Sequence, residues 1–345
     1  MTDRVGLAVV GTGDWGANLI RNFASLPGCS LLALCDADAG RLSATVAKYP
    51  GTAPVSSAAE LAQRADIQAV VIAASAVSHF ELARTMLEAG KDVYVEKPLT
   101  LRVDHAEELV ALARKHQRIL MVGHLLLFHP AVRYLKDMVE RGDLGDVFYI
   151  YSQRVNLGKV RRDENALWSF APHDLSVILH LVGDEPIDVV ARGSAFLQGE
   201  VEDVVFVELR FPGNKLAHLH VSWLDPHKLR KFTVVGSRKM VVFDDMEASE
   251  KIRIYDKGVD RAGEVVSYGD ALTVRSGDIL IPKISLQEPL RIECQHFVDC
   301  VKSRKTPLTS GDDGLKVVKV LAAAQASLEA GGAPVAVAPE RAGAR

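Results

Sequence analysis

Long apolar runs, paired cysteines and an excess of charge of one sign are all missing from this 345-residue chain. No unbroken apolar stretch reaches the length of about 18 residues that a membrane-spanning helix needs. The N-terminus, MTDRVGLAVVG, meets glycine too soon for the apolar core of a signal peptide, so the expected compartment is the cytoplasm. The cysteines are Cys29, Cys35, Cys294 and Cys300; they form no C-x-x-C pair and are too sparse for a disulfide scaffold. Each lies in or beside an apolar run and reads as a reduced, buried thiol. The 41 basic and 44 acidic side chains leave a net charge of −3, which excludes the broad positive surface of sequence-independent nucleic-acid binding. No internal repeat or low-complexity segment occurs.

What is there is an average soluble composition, 48% apolar and 25% charged, in a chain long enough for two domains of roughly 150 residues. Up to residue 122 two periodicities alternate. Short continuous apolar runs at Val5–Val10, Leu31–Cys35, Ala69–Ala73, Val93–Val95 and Ile119–Val122 are separated by helical spacing at Ala17–Leu26, Ala58–Gln63, Phe80–Ala89 and His105–His116. Strand and helix in repetition mean parallel pairing, and unbroken apolar strands mean helices on both faces. Ser56–Ser57 mark one helix start; Asp104 with Glu107 reads as a capping box at another. After residue 122 the runs lengthen and become β-branched and aromatic: Val147–Val155, Ile187–Ser194, Asp203–Phe211, Leu216–Leu224, Phe232–Val235 and Met240–Phe243. Period-two alternation over Leu216–Leu224 and the turn Pro212-Gly213-Asn214 predict antiparallel strands with one exposed face. Helices are expected at Pro130–Glu140, Asp174–Leu181, Ile292–Val301 and Leu315–Leu328. The expectation is a doubly wound α/β domain at 1–122, an α+β domain with a large open, mainly antiparallel sheet at 123–338, and a frayed tail at 339–345.

Two local patterns carry chemistry. The strand Val5–Val10 runs into Gly11-Thr12-Gly13-Asp14-Trp15-Gly16, a G-x-G-x-x-G at a strand-to-helix junction. Its glycines permit a tight turn, approach to a pyrophosphate and close helix packing, and the helix start offers free N–H groups. Asp36, 20 residues after Gly16, ends the second strand. A carboxylate there accepts the adenosine-ribose hydroxyls and repels a 2′-phosphate, favouring NAD over NADP. Asp38 competes for this role, and Arg41 leaves room for NADP. Glu96-Lys97-Pro98 follows the fourth strand, on the side where parallel sheets bind ligands; taken alone it reads more often as a solvated loop.

The glycine loop, His79 and Glu96-Lys97-Pro98 together resemble the glucose–fructose oxidoreductase, inositol dehydrogenase and MocA family. Gly123-His124, Phe128-His129-Pro130 and Gly331–Val335 extend the resemblance over nearly the whole chain. The resemblance implies a Rossmann domain followed by an open-sheet domain, a catalytic Lys97, and Ser75, His79, Glu96 and His124 beside the cofactor. It also implies a catalytic His173 in Trp168-Ser169-Phe170-Ala171-Pro172-His173-Asp174. Ser169 stands where the family has an aspartate, so the usual acid behind the imidazole is absent; Asp174 is expected to point elsewhere. Arg154, Asn156, Lys159, Arg161 and Arg162 lie between two pieces of the implied site. They read either as a phosphate grip or as a solvated loop partly neutralised by Asp163 and Glu164; Trp168 and Phe170 offer rings for stacking on a sugar or base. The stretch is similar to the nucleotide-sugar branch, which implies oxidation of C3 of UDP-N-acetylglucosamine or its uronate. In that reading His173 is the base and Lys97 polarises the alkoxide, both acting with His124 on one sugar. Alternatives are an inositol or free-sugar dehydrogenase, redox-assisted glycoside hydrolysis, and a silent NAD-sensing regulator. His218 and His220 share a strand face, but no third ligand suggests a metal. The resemblance also implies a homodimer or homotetramer through the open sheet.

Overall fold

The computed structural model describes residues 4–158, 160–162, 164–261, 272–285 and 287–337. Contacts divide the chain into two units, Met1–Phe128 with Gln287–Lys319, and His129–Leu286 with Val320–Arg345.

In the first unit β1 (Val5–Val10), α1 (Asp14–Ser25), β2 (Cys29–Cys35), α2 (Ala39–Val46), β3 (Ala53–Val55), α3 (Ala58–Gln63), β4 (Ala69–Ile72), α4 (His79–Glu88), β5 (Asp92–Glu96), α5 (Val103–Lys115) and β6 (Leu120–Gly123) alternate. The strands form one parallel sheet in the order β3-β2-β1-β4-β5-β6. This is the doubly wound arrangement, with its switch of direction beside β1. Every residue of β1, β4 and β5 is buried, because both faces are covered. Val10, Ile72, Val95 and Leu109 belong to one core. Leu7, Val9, Phe23 and Tyr94 belong to the other, together with Phe297 of α8 (Pro289–Ser303), a helix that returns from the far end of the sequence. All four cysteines are free and buried.

The second unit opens with α6 (Pro130–Glu140), where Pro130 occupies the first turn and the His129 ring accepts the Ala131 N–H. There follow β7 (Val147–Val155), α7 (Ala166–Val182), β8 (Asp188–Ser194), β9 (Val204–Phe211), β10 (Lys215–Ser222), β11 (Leu229–Gly236), β12 (Met240–Asp244), β13 (Ile252–Arg261) and β14 (Leu272–Leu280). After α9 (Gly311–Glu329), the short β15 (Val335–Ala336) completes a nine-stranded sheet in the order β14-β13-β12-β11-β7-β10-β9-β8-β15. Only β7 and β10 pair in parallel. Burial alternates along β9 and β10, the signature of one covered face. The β9–β10 turn falls on Pro212–Asn214, with Gly213 at φ +72° as a left-handed turn residue requires. On the covered face α7 packs against β7, β9 and β10. The end of α9 is pinned to β8 by Ser327, whose Oγ accepts the Ala191 N–H at 2.9 Å.

The structure corrects several sequence expectations. α1 begins at Asp14, immediately after the glycine loop, rather than at Ala17. α5 begins at Val103 after Arg102, which makes no side-chain cap, so Asp104 and Glu107 are no capping box. Asp104 instead pairs with Arg102 inside the first turn, where a carboxylate also complements the helix dipole. α7 begins at Ala166, not Asp174, and carries Pro172 in its interior. Its start is fixed by Asn165, whose side-chain oxygen accepts the Trp168 N–H at 3.1 Å. The strands β3, β13, β14 and β15 and helix α2 escaped the sequence reading. The expected frayed tail, 339–345, lies outside the described residues.

Candidate active site

Five loops gather at the carboxyl ends of the parallel strands, where this architecture binds its ligands. They carry Gly11–Gly16 after β1, Asp36 after β2, Ser75 after β4, Lys97 after β5 and His124 after β6.

The first loop is shaped by sterics. Gly11 has φ +98°, and a Cβ there would lie 2.6 Å from the Ala73 carbonyl. A Cβ on Gly16 would lie 2.1 Å from the Gly11 oxygen. Gly13 differs: a Cβ would meet only the Arg41 side chain, at 3.6 Å. Gly13 is also the N-cap of α1 and supplies no side-chain acceptor, leaving first-turn N–H groups for an incoming anion. The Thr12 N–H and hydroxyl donate to Asp36 Oδ2 at 2.7 and 2.8 Å, and the Asp38 N–H donates to Oδ1 at 2.9 Å. Partial burial pushes the Asp36 carboxyl up, but these donors, with Arg41, outweigh it and leave the group below its ordinary value. Asp38 is spent capping α2 and pairing with Arg41. Gly13, the open helix start and the anionic Asp36 thus fit a dinucleotide. Trp15 is exposed at the loop tip, and Ser75 is an exposed residue before a 3-10 turn.

Glu96 closes β5 and is buried. It accepts the Tyr94 hydroxyl on Oε1 at 3.1 Å and the Lys97 N–H on Oε2 at 3.2 Å. Burial raises its pKa, opposed by Trp15, Lys97 and Tyr94. The Lys97–Pro98 peptide is cis, and Lys97 is half-buried. His79 is buried beneath this turn, Nδ1 facing the Pro98 carbonyl at 2.8 Å and Nε2 facing the Ala74 carbonyl at 3.1 Å. The ring thus bridges the loops after β4 and β5. Burial lowers its pKa, and the two facing carbonyls oppose the shift. His124 is buried with no hydrogen-bond partner at either ring nitrogen. Burial lowers its pKa to about 4, the nearby Lys97 charge adding to the effect and Asp313 opposing it.

In the second unit His173 lies mid-helix on α7, one turn beyond Ser169. Ser169 is buried. Asp174 is fully buried and holds Arg154 of β7, with Arg154 Nε on Oδ1 at 2.7 Å and Nη2 at 2.6 Å. Burial raises the Asp174 pKa, and Arg154 opposes the rise. The Arg154 guanidinium, placed by the sequence reading on a substrate, is therefore engaged inside the protein. Arg161 is half-exposed and paired with Glu164 at 3.0 Å, its carbonyl taken by Gln198. Arg162 is exposed, Trp168 and Phe170 are half-buried, and Asn156 ties its N–H to the Ser222 carbonyl. Lys159 and Asp163 lie outside the described residues. The sequence reading missed Asn165, whose amide also reaches Glu202 and Gln325, and the Tyr94–Glu96 contact. The Glu96/Tyr94 spacing of two, which puts both side chains on one strand face, was the available signal.

Residues 5–124 match an oxidoreductase family described by an NAD-binding Rossmann fold, and residues 132–242 match the Gfo/Idh/MocA C-terminal domain. The chain is 30% identical over 231 residues to the 2,7-anhydro-N-acetylneuraminate hydratase of Mediterraneibacter gnavus, a match covering 62% of this chain and 60% of that protein's length. It is 24% identical to the UDP-N-acetylglucosamine 3-dehydrogenase of Acidithiobacillus ferrooxidans, over 93% and 96% of the two chains. The solved structure of that enzyme shares the fold, with a TM-score of 0.80 at 23% identity over 95% of this chain and 98% of the other. The myo-inositol 2-dehydrogenase of Thermotoga maritima is 25% identical over 94% and 96%. With family matches across both units, the chain belongs to the Gfo/Idh/MocA oxidoreductase family.

Proposed function

We propose that this protein is an NAD-dependent dehydrogenase that oxidises a ring secondary hydroxyl, most specifically C3 of a UDP-N-acetylhexosamine. The observation that carries the dehydrogenase reading is the cluster at the carboxyl ends of β1, β2, β5 and β6, where an open glycine loop, an anionic Asp36, Lys97 and an unsatisfied His124 stand together. NAD is preferred to NADP because Asp36 is held ionised by main-chain donors. Bound nicotinamide would supply the hydride acceptor. Lys97, as an ammonium, polarises the oxygen of the reacting carbon, and preorganised charge of this kind acts strongly where water is excluded. His173 accepts the hydroxyl proton. Ser169 gives its imidazole a neutral neighbour in place of a carboxylate, so the imidazolium gains less support. The nucleotide-sugar substrate is supported by the full-length likeness to the Acidithiobacillus enzyme and by Arg161 and Arg162 in the loop before α7.

A second reading, an inositol-type polyol as substrate, is favoured by one observation: Arg154 is spent on Asp174, which removes a cation from the phosphate grip. The two separate on a direct assay. NADH formation is measured with UDP-N-acetylglucosamine, its uronate and myo-inositol. The nucleotide-sugar reading requires turnover of a UDP-sugar and a raised KM in Arg161→Ala/Arg162→Ala. Turnover of inositol alone, unaffected by those changes, supports the second reading. Binding of NAD with turnover of neither sinks both.

The outer face of the second sheet is proposed to seat a second copy of this chain. Tyr149, Tyr151, Phe206 and Leu216 are exposed on it, and Phe206 stacks on His220 at 4.5 Å. Apolar rings gathered on one face in water favour association. Sedimentation equilibrium should show a dimer or tetramer, and Phe206→Asp should yield monomers.

A further inference from the structure

Beside Glu96 lies a buried acid that the proposed chemistry does not use. Glu293, on α8, is completely inaccessible, and neither of its carboxyl oxygens has a hydrogen-bond partner. It lies among Tyr94, Glu96 and Cys294. Tyr94 contacts Phe297 of the same helix edge-on at 5.7 Å. The Tyr94 hydroxyl spends its hydrogen on Glu96 Oε1. It influences Glu293 without making a hydrogen bond of standard geometry to it. Gly123 of β6 completes the enclosure, since a Cβ there would lie 2.7 Å from the Tyr94 oxygen and 2.9 Å from Glu96 Oε1.

The two carboxyls have unequal surroundings. Glu96 receives the Tyr94 hydroxyl and the Lys97 N–H and feels the Lys97 ammonium and Trp15. Among the described residues no cation bears on Glu293. The groups around it are Glu96 and Tyr94 from β5 and the buried thiol of Cys294, beside which stands Cys29 of β2. An ionised carboxylate without donors in an apolar enclosure is far costlier than a neutral acid. Two buried carboxyls in mutual influence do not both ionise cheaply.

We propose that Glu293 is a positioning residue that keeps its proton in the resting enzyme, so that the Glu96–Tyr94–Glu293 cluster carries one negative charge, localised on Glu96 behind Lys97. Burial and the neighbouring Glu96 both act in this direction, holding the Glu293 carboxyl well above its ordinary range. Burial and the two glutamates likewise keep the Tyr94 phenol neutral. The cluster then presents a fixed single charge to the lysine turn. Were both acids ionised, the extra charge would face no added donor. Were both neutral, Lys97 would lose the charge of Glu96 beside it. The consequence for Lys97 rests on the dehydrogenase reading; the protonation of Glu293 does not.

Infrared difference spectroscopy of the whole protein tests the proton directly. Wild type minus Glu293→Gln should show one deuterium-sensitive carbonyl stretch of a protonated carboxylic acid, persistent across neutral pH. Glu96→Gln should remove a carboxylate signal instead. If Glu293→Gln fails to fold, Glu293→Asp serves the same purpose, because it should shift that band while every other buried acid stays in place. Absence of the band, or its loss in Glu96→Gln rather than Glu293→Gln, overturns the assignment. In kinetics, Glu96→Gln removes the charge that favours the ammonium, so the alkaline limb of kcat should move to lower pH. Glu293→Gln should lower kcat less than about tenfold and leave that limb in place, because the charge is unchanged. A limb that moves in Glu293→Gln and stays in Glu96→Gln reverses the assignment. An infrared band in a protein that oxidises no sugar keeps the proton on Glu293 and refutes only the proposed function.

Discussion

The two units hold their candidate residues by different means. In the first, main chain and glycine geometry dictate almost everything: Asp36 is gripped by two backbone N–H groups, and the loop after β1 admits no Cβ at Gly11 or Gly16. In the second, side chains hold side chains. Arg154 is fixed by Asp174, Asn165 by Glu202 and Gln325, and Arg161 by Glu164. A cofactor common to many enzymes suits a site written into the backbone, whereas a substrate suits one that side-chain changes can remodel.

The largest expected effect breaks the chemistry while sparing the scaffold. Lys97→Met should lower kcat/KM about 1000-fold, or about 4 kcal/mol, with cofactor affinity kept within a few-fold, measured by steady-state kinetics and NAD titration. In the second unit the weak point is stability rather than chemistry. Arg154→Leu leaves Asp174 buried and unpaired and should cost about 3 kcal/mol in denaturant unfolding. Arg154→Leu/Asp174→Leu should recover much of that loss, and a single variant as stable as wild type would show that the pair holds nothing.

His124 sharpens the contrast through pH. Its folded pKa, about 4, lies below the ordinary value of 6.5, so the unfolded chain binds the extra proton between these limits. Stability should therefore fall as pH drops from about 6.5 to 4, by about 3 kcal/mol for the 2.5-unit difference. His124→Gln should flatten that slope in urea unfolding. The smallest effect separates the glycines. Gly13→Ala meets nothing close in the free protein and should leave the melting temperature unchanged, while weakening NAD about tenfold by filling the pyrophosphate approach. A drop in melting temperature without loss of affinity would reverse that assignment.

The same contrast governs what the sequence disclosed. The alternation of strands and helices, the glycine loop and Asp36 were legible because backbone rules write them at fixed spacing. Strands β7 to β12 were legible from their β-branched and aromatic content, and β10 also from its period-two alternation. By contrast, β13 and β14 mix polar and small residues, as in IRIYDKGVDR and LTVRSGDIL, and give no clean period. The helix expected from Asp174 starts two turns earlier, because Asn165 caps it and the apolar residues after it continue through Pro172. Long-range partners carry no local signal. Arg154 and Asp174 are 20 residues apart, and Glu96 and Glu293 come from opposite ends of the sequence. The family resemblance assigned Lys97 and His173 their roles; spacing alone left Lys97 as a loop residue.

The proposed oxidation is hydride transfer from a sugar carbon to nicotinamide. It is tested most directly by incubating the protein with NAD and UDP-N-acetylglucosamine carrying deuterium at C3. Mass spectrometry should find the label on the reduced nicotinamide. Label retained on the sugar, or released into water with no reduced cofactor, would contradict it.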